Sequence, residues 1–185
     1  MSNRIILGSA SPRRSELLKK VVSDFEIVPA MCEEFLPSDI SPIDAVMLLS
    51  YQKAKDVHSR ISETEKTALV IGADTVVDNG TIIGKPKDRD DALAMLLSLS
   101  GKSHLVHTGV TIIAPNRKEV FCDTTEVFFK NYTADDLTDY LLSDEPYDKA
   151  GAYAIQGYFG RFIDHIQGDF DNVMGLPVYR LAECL

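Results

Sequence analysis

The sequence predicts a mixed α/β protein, a sheet of parallel and antiparallel strands with helices on its faces. Three observations carry this expectation. Short runs rich in Val, Ile, Thr or Phe alternate with segments of helical periodicity. Two long strand-like runs, Leu105 to Ala114 and Glu119 to Phe129, are separated only by Pro115-Asn116-Arg117-Lys118, so they form a hairpin and a purely parallel sheet is excluded. With 185 residues, 45% hydrophobic and 25% charged, the chain can build one substantial core. No repeat, low-complexity tract or Pro/Gly/Ser linker divides it, so residues 1–185 read as a single domain.

The elements follow in order. The apolar run Ile5 to Leu7 belongs to a first strand, Arg4 to Leu7, and Gly8-Ser9-Ala10-Ser11-Pro12-Arg13-Arg14 opens from it into a helix through Lys20, with Ser11 as cap and Pro12 at the first helical position. A second strand spans Phe25 to Val28. The segment Pro42 to Ile61 places Ile43, Val46, Leu49, Ala54 and Val57 near helical spacing. A strand from Ala68 to Ala73 continues through Val77. Asp90 to Leu99 is a compact helix ended by Gly101, and Thr133 to Leu142 reads as another long helix.

One of these helix starts breaks a rule that the others keep. A helix N-terminus carries unpaired N–H groups and a partial positive charge, so acidic side chains stabilise it and basic ones do not. Ser41, Asp88 and Thr133 are each followed three residues later by Asp44, Asp91 or Asp136, whereas Ser11 is followed by Arg14. The simplest compensation is a bound anion, with amide donors, serine hydroxyls and two guanidinium groups converging on phosphate.

The charge distribution sharpens this reading. The net charge is -9, yet residues 1–20 carry +4. An acidic chain with one basic segment fits a small anion and not a nucleic acid polymer or an anionic membrane. Cys32, Cys122 and Cys184 are widely spaced, without a CxxC pair, and indicate neither a disulfide framework nor a zinc site. Neither a signal-peptide core nor a membrane-length apolar run occurs, and a cytoplasmic location is expected.

Several residues are placed for chemistry. Asp74 interrupts the apolar stretch from Ala68 to Val77, and a carboxylate in buried sheet needs a cation, a metal or several hydrogen bonds. From position alone, the alternative is a strand-end turn in which Asp74 bonds its own backbone. Lys85, held between Gly84 and Pro86 after the Asp78-Asn79-Gly80 turn, has a stiff backbone that can aim it at phosphate, although this is no Walker loop and, taken alone, a solvated hairpin lysine is the commoner reading. Lys53 lies on the second helix. Glu33 or Glu34 offers a second carboxylate for a metal, although taken alone a solvated loop pair is the commoner reading. Between Asp144 and Gly157, Lys149 suits phosphate, and Gln156, which donates and accepts together, suits the amide face of a pyrimidine. His104 and His107, three apart on a strand, point to opposite faces, which argues against a joint metal site. Hydrolase-elbow, zincin and dinucleotide-binding fingerprints are absent from the sequence.

Taken together, Gly8 to Arg14, Gly72-Ala73-Asp74-Thr75, Gly84-Lys85-Pro86, Asp148 to Tyr153, Ile155-Gln156-Gly157 and Asn172 to Pro177 form an ordered set that resembles the Maf family across nearly the whole chain. The resemblance implies an elongated mixed β-sheet flanked by helices, with two lobes around a central cleft, like inosine triphosphate pyrophosphatase. It also implies a nucleoside triphosphate pyrophosphatase that uses a divalent cation, Mg²⁺ or Mn²⁺, commonly as a homodimer. By position, Asp74 is the expected proton acceptor, and Arg13, Thr75 and Gln156 are specificity positions. Ser9, Arg14, Glu34, Lys53, Lys85 and Lys149 match further cleft positions, with Asp74 and Glu34 the candidate metal ligands. Thr75 together with the Lys149 to Gln156 block resembles the branch acting on dTTP and UTP.

The reaction implied is hydrolysis of the α,β-phosphoanhydride. An ordinary aspartate is a feeble base at neutral pH, so Asp74 serves either as proton acceptor or by holding a metal; the sequence leaves both open. Two rivals stand beside this reading: a nucleotide-binding regulator of septum formation with little catalysis, and a house-cleaning enzyme whose best substrate is a modified pyrimidine triphosphate.

Overall fold

The computed structural model describes residues 4–61 and 67–185. In chain order the strands and α-helices are β1 (Ile5–Leu7), α1 (Pro12–Leu18), β2 (Glu26–Ile27), α2 (Pro42–Ile61), β3 (Leu69–Asp78), β4 (Ile82–Ile83), α3 (Arg89–Leu99), β5 (Ser103–Ala114), β6 (Arg117–Phe129), α4 (Thr138–Leu141), β7 (Ile163–Gln167), α5 (Phe170–Met174) and α6 (Val178–Glu183). Short 3₁₀ turns occupy Asp135–Leu137, Glu145–Asp148, Ala150–Ala152 and Tyr158–Phe162.

The seven strands form one sheet in the order β2-β1-β3-β5-β6-β7, with β4 paired to β3. β1 runs parallel to both neighbours, setting Ile6 opposite Glu26 and Val70. β4 is antiparallel to β3, and β7 to β6. The connection from β5 to β6 is the turn at Pro115 and Asn116, far shorter than a parallel crossover needs. The expected mixed sheet is therefore present.

By contact density the chain divides into two compact units, one comprising Met1–Thr75, Thr108–Asp123 and Gly175–Leu185, the other Val76–His107 and Thr124–Met174. Each has its own core. In the first unit, Ile6, Ala54, Val57, Ala68 and Val70 pack together. In the second, Val77, Leu96, Leu99, Val127 and Leu137 surround an aromatic group in which Phe159 meets Phe129, Tyr132, Tyr140 and Tyr153 at ring separations of 5.1–5.8 Å. Such tilted and edge-on pairs suit the ring quadrupoles and add to the burial of apolar area.

Helix α2 is the element that carries Lys53 to the sheet. Its start is fixed by Ser41, whose hydroxyl accepts the Asp44 N–H at 3.1 Å and donates to the Asp44 carboxylate at 2.6 Å. Its buried side chains are Ala45, Val46, Leu49, Ser50, Ala54 and Val57, one helical stripe, while Ile43 is exposed and does not belong to it. The helix backbone comes very close to the sheet at two glycines. A Cβ on Gly72 would collide with Ser50 and Ala54, and one on Gly109 with Val46 and Met47. Lys53 sits between Ser50 and Ala54, so this close approach also sets how near Lys53 comes to β3.

The expected long helix over Thr133 to Leu142 is replaced by a 3₁₀ turn and a single α-turn. The Thr133 hydroxyl donates to the Asp136 carboxylate at 2.8 Å and caps nothing, and three aspartates and two threonines give the segment little intrinsic helicity. Strands β4 and β7 and helices α5 and α6, at two to six residues, are too short for periodicity to register.

Candidate active site

Asp74 lies in the middle of β3, which runs on to Asp78, so the turn alternative does not apply. Its neighbours Ala73 and Val76 are buried, and its own side chain is only 13% exposed. The cation such a group needs is Lys53, whose Nζ donates to Asp74 Oδ1 at 2.5 Å. The same ammonium is 2.9 Å from Glu34 Oε1, so one lysine bridges two carboxylates. Of the three side chains Glu34 is the most exposed, at 51%.

Arg14 finds part of the compensation for the charge anomaly at the first helix within the chain itself. Ser11 caps α1, accepting the Arg14 N–H at 3.5 Å, and the guanidinium turns away from the helix axis. Nε donates to the Gly175 carbonyl at 2.8 Å, Nη1 to Ser9 Oγ at 3.3 Å and Nη2 to Thr75 Oγ1 at 3.1 Å. Burial draws this guanidinium below its ordinary pKa, Asp74 and Glu34 hold it up, and neighbouring Arg13 adds to the lowering. Part of the compensation expected from an anion thus comes from three protein oxygens and two acids. Arg14 has five N–H groups, so two remain beyond these three bonds. Arg13, beside it, is half-buried.

Seven of the ten expected site residues, Ser9, Arg13, Arg14, Glu34, Lys53, Asp74 and Thr75, belong to the first unit. Lys85, Lys149 and Gln156 belong to the second. There, the Gly151 N–H donates to the Gly84 carbonyl at 3.0 Å, joining the Lys85 loop to the loop after Lys149. Lys149 Nζ donates to the Glu145 carbonyl at 2.7 Å and pairs with Asp148. Lys85 and Gln156 are exposed. Both histidines are buried and separately engaged: His104 Nε2 with Tyr153 Oη at 2.7 Å, His107 Nδ1 with Thr124 Oγ1 at 2.8 Å.

The sequence from residue 4 to residue 185 matches the Maf-like protein family. The chain belongs to the Maf family. It is 46% identical over 180 residues to a dTTP/UTP pyrophosphatase of Bacillus cereus, covering 97% of this chain and 92% of the relative. Its identity to the dTTP/UTP pyrophosphatase of Caldicellulosiruptor bescii is 44% over 181 residues, covering 96% and 91%. The solved structure of the Staphylococcus aureus Ham1 protein aligns over 98% of this chain and 97% of its own, with a TM-score of 0.52 at 13% identity, and shares the fold.

Three residues that hold expected site residues within their own units were not singled out from the sequence. The Gly175 carbonyl anchors Arg14, and fully buried Thr108 meets Thr75 Oγ1 at 3.0 Å. Glu145 holds Lys149 through its main-chain oxygen. Gly175 lies inside a recognised motif, but a carbonyl acceptor leaves no side-chain signature. Thr108 looks like any β-branched strand residue.

Proposed function

We propose that this Maf-family chain hydrolyses dTTP and UTP to the nucleoside monophosphate and pyrophosphate. Asp74 carries the reading. Its Oδ1 is held by Lys53, while Oδ2 accepts no hydrogen bond among the described residues and is free to take a proton. Water attacks the α-phosphorus in line, the bond from that phosphorus to the bridging oxygen breaks, pyrophosphate departs with the electron pair, and Asp74 takes up the proton of the water. Arg13, the remaining N–H groups of Arg14, Lys85 and Lys149 counter the charge on the phosphates. Ser9 and Thr75 orient Arg14, and Gln156 reads the pyrimidine edge. Modified pyrimidine triphosphates offer the same edge, so a panel scored by kcat/KM ranks them against dTTP and UTP.

A divalent cation fits this site in one specific sense. Among the described residues no three His, Cys, Asp or Glu side chains gather as a cage. Mg²⁺ commonly takes only one or two carboxylates, completing its shell with phosphate oxygens and water. Asp74 and Glu34, which share the Lys53 ammonium, would be that pair and would hold Mg²⁺ or Mn²⁺ with the triphosphate, a role for the Asp74 carboxylate that is the alternative to proton acceptor. Held there, the ion would supply neutralisation of phosphoryl charge. No helix among the described residues is long and apolar enough to cross a membrane, and no disulfide joins the three cysteines. We place the enzyme in the cytoplasm and, from the family resemblance, as a homodimer.

The test is Asp74→Asn. It should abolish pyrophosphate release from dTTP and UTP with an unchanged circular dichroism spectrum. Near-normal turnover would end the assignment.

A further inference from the structure

Within the second unit, Glu145 touches two of the segments assigned to the nucleotide. Its main-chain oxygen accepts Lys149 Nζ at 2.7 Å. Its carboxylate reaches across to the segment after Gln156, where Oε2 accepts the Tyr158 N–H at 3.4 Å. Gly157 makes room for that reach. A Cβ at residue 157 would overlap the Glu145 carboxylate, to which all three of its nearest atoms belong. On the far side the Tyr158 ring stacks on Tyr140 at 5.7 Å, nearly parallel, and the Tyr140 hydroxyl donates to the Ala152 carbonyl at 3.0 Å.

The carboxylate occupies this place at a cost. Oε1 is buried without a hydrogen-bond partner among the described residues, and the single bond to Oε2 is long. A buried carboxylate oxygen left without a donor destabilises a fold, and its presence in a native chain calls for a reason. The lysine tether does not supply one, because it uses the main-chain oxygen and survives any side chain at 145. What the side chain does contact is the backbone immediately after Gln156, at Gly157 and Tyr158.

We propose that Glu145 is a positioning residue for base selection, its carboxylate setting the Gln156-Gly157-Tyr158 backbone so that Gln156 presents its amide to the pyrimidine. The proposal rests on the assignment of Gln156 to the base. It separates two tasks within one residue: the main chain holds the phosphate-binding lysine, and the side chain holds the base-reading glutamine.

The experiment measures dissociation constants by calorimetry for the non-hydrolysable α,β-imido analogues of dUTP and dATP. The wild-type chain should prefer the dUTP analogue. Glu145→Ala should reduce that preference about tenfold, the equivalent of one lost hydrogen bond of about 1.4 kcal/mol, by weakening the dUTP analogue while the dATP analogue moves less than about twofold, because the Lys149 tether is intact. Gly157→Ala should produce the same loss by displacing the carboxylate, and it tests the idea even if Glu145→Ala folds poorly. The double variant should be no worse than either single one. Glu145→Gln, which keeps an acceptor for the Tyr158 N–H, should stay within about threefold of wild type. Equal weakening of both analogues, additive losses in the double variant, a Gln variant as impaired as the Ala one, or no wild-type preference would each overturn the proposal. Failure of the hydrolase reading looks different: the analogue preference and its loss persist, while dTTP and UTP yield no pyrophosphate.

Discussion

Replacing Gly72 by alanine should impair turnover without touching a single site residue. The added methyl would lie 2.7 Å from Ala54 N and 2.9 Å from Ala54 Cβ, and it also meets the Ser50 carbonyl. Non-bonded carbon atoms prefer about 3.5–4.0 Å, so α2 must retreat by roughly 0.5–1 Å. None of these atoms belongs to a flexible side chain that can swing aside. Overpacking of this kind costs about 1–3 kcal/mol, which for a chain of this size lowers Tm by roughly 2–12 °C. The same retreat carries Lys53 away from Asp74, now 2.5 Å distant. A displacement of about 1 Å at a reacting group costs on the order of a hundredfold in rate. The assay pairs a thermal melt with initial rates of pyrophosphate release from dTTP at saturation, at a temperature where the variant is fully folded. A lowered Tm with kcat within about twofold of wild type would refute the link between α2 and catalysis. An unchanged Tm would refute the close approach itself.

Other expectations rest on the same geometry. Arg14→Lys keeps the charge but replaces a fork that serves Gly175, Ser9 and Thr75 at once with one ammonium; kcat for dTTP should fall by about ten- to a hundredfold as that arrangement loosens, and full activity in this variant would mean that the bonds are incidental. Burial pulls His104 from 6.5 down to about 4. Because the folded state binds the proton more weakly than the unfolded one, its contribution to stability is full above pH 6.5 and is lost as pH falls toward 4, a loss of about 3 kcal/mol. Urea unfolding between about pH 7 and 4 should therefore show a shallower pH slope for His104→Gln, whose amide can still meet Tyr153, and identical slopes would remove His104 from the account of acid sensitivity.

Much of this protein was written in local sequence. Period and capping placed α2 and α3 within a residue of their observed ends, and runs of β-branched and apolar residues placed β1, β2, β3, β5 and β6. The Thr133 to Leu142 helix failed because the Thr133 hydroxyl, read as a cap, donates to the Asp136 carboxylate instead of accepting a backbone N–H. Local sequence also marked Asp74 as a group needing a partner, since a carboxylate among buried strand residues carries an obligatory desolvation cost. It could not say which partner, because that depends on residues brought together across the chain.

Tertiary structure made that choice. Lys53, 21 residues before Asp74 and unremarkable on an amphipathic helix, becomes the counter-ion because α2 can press its backbone onto Gly72. The odd arginine at the first helix finds its acceptors 61 and 161 residues away, in Thr75 and Gly175. Sequence alone determined which residues carry charge and which backbone segments could be helix or strand, since both are properties of a residue and its near neighbours. Which charges meet is decided by packing, because a hydrogen bond of about 3 Å is set by the closest approach of whole elements and not by the order of residues along the chain.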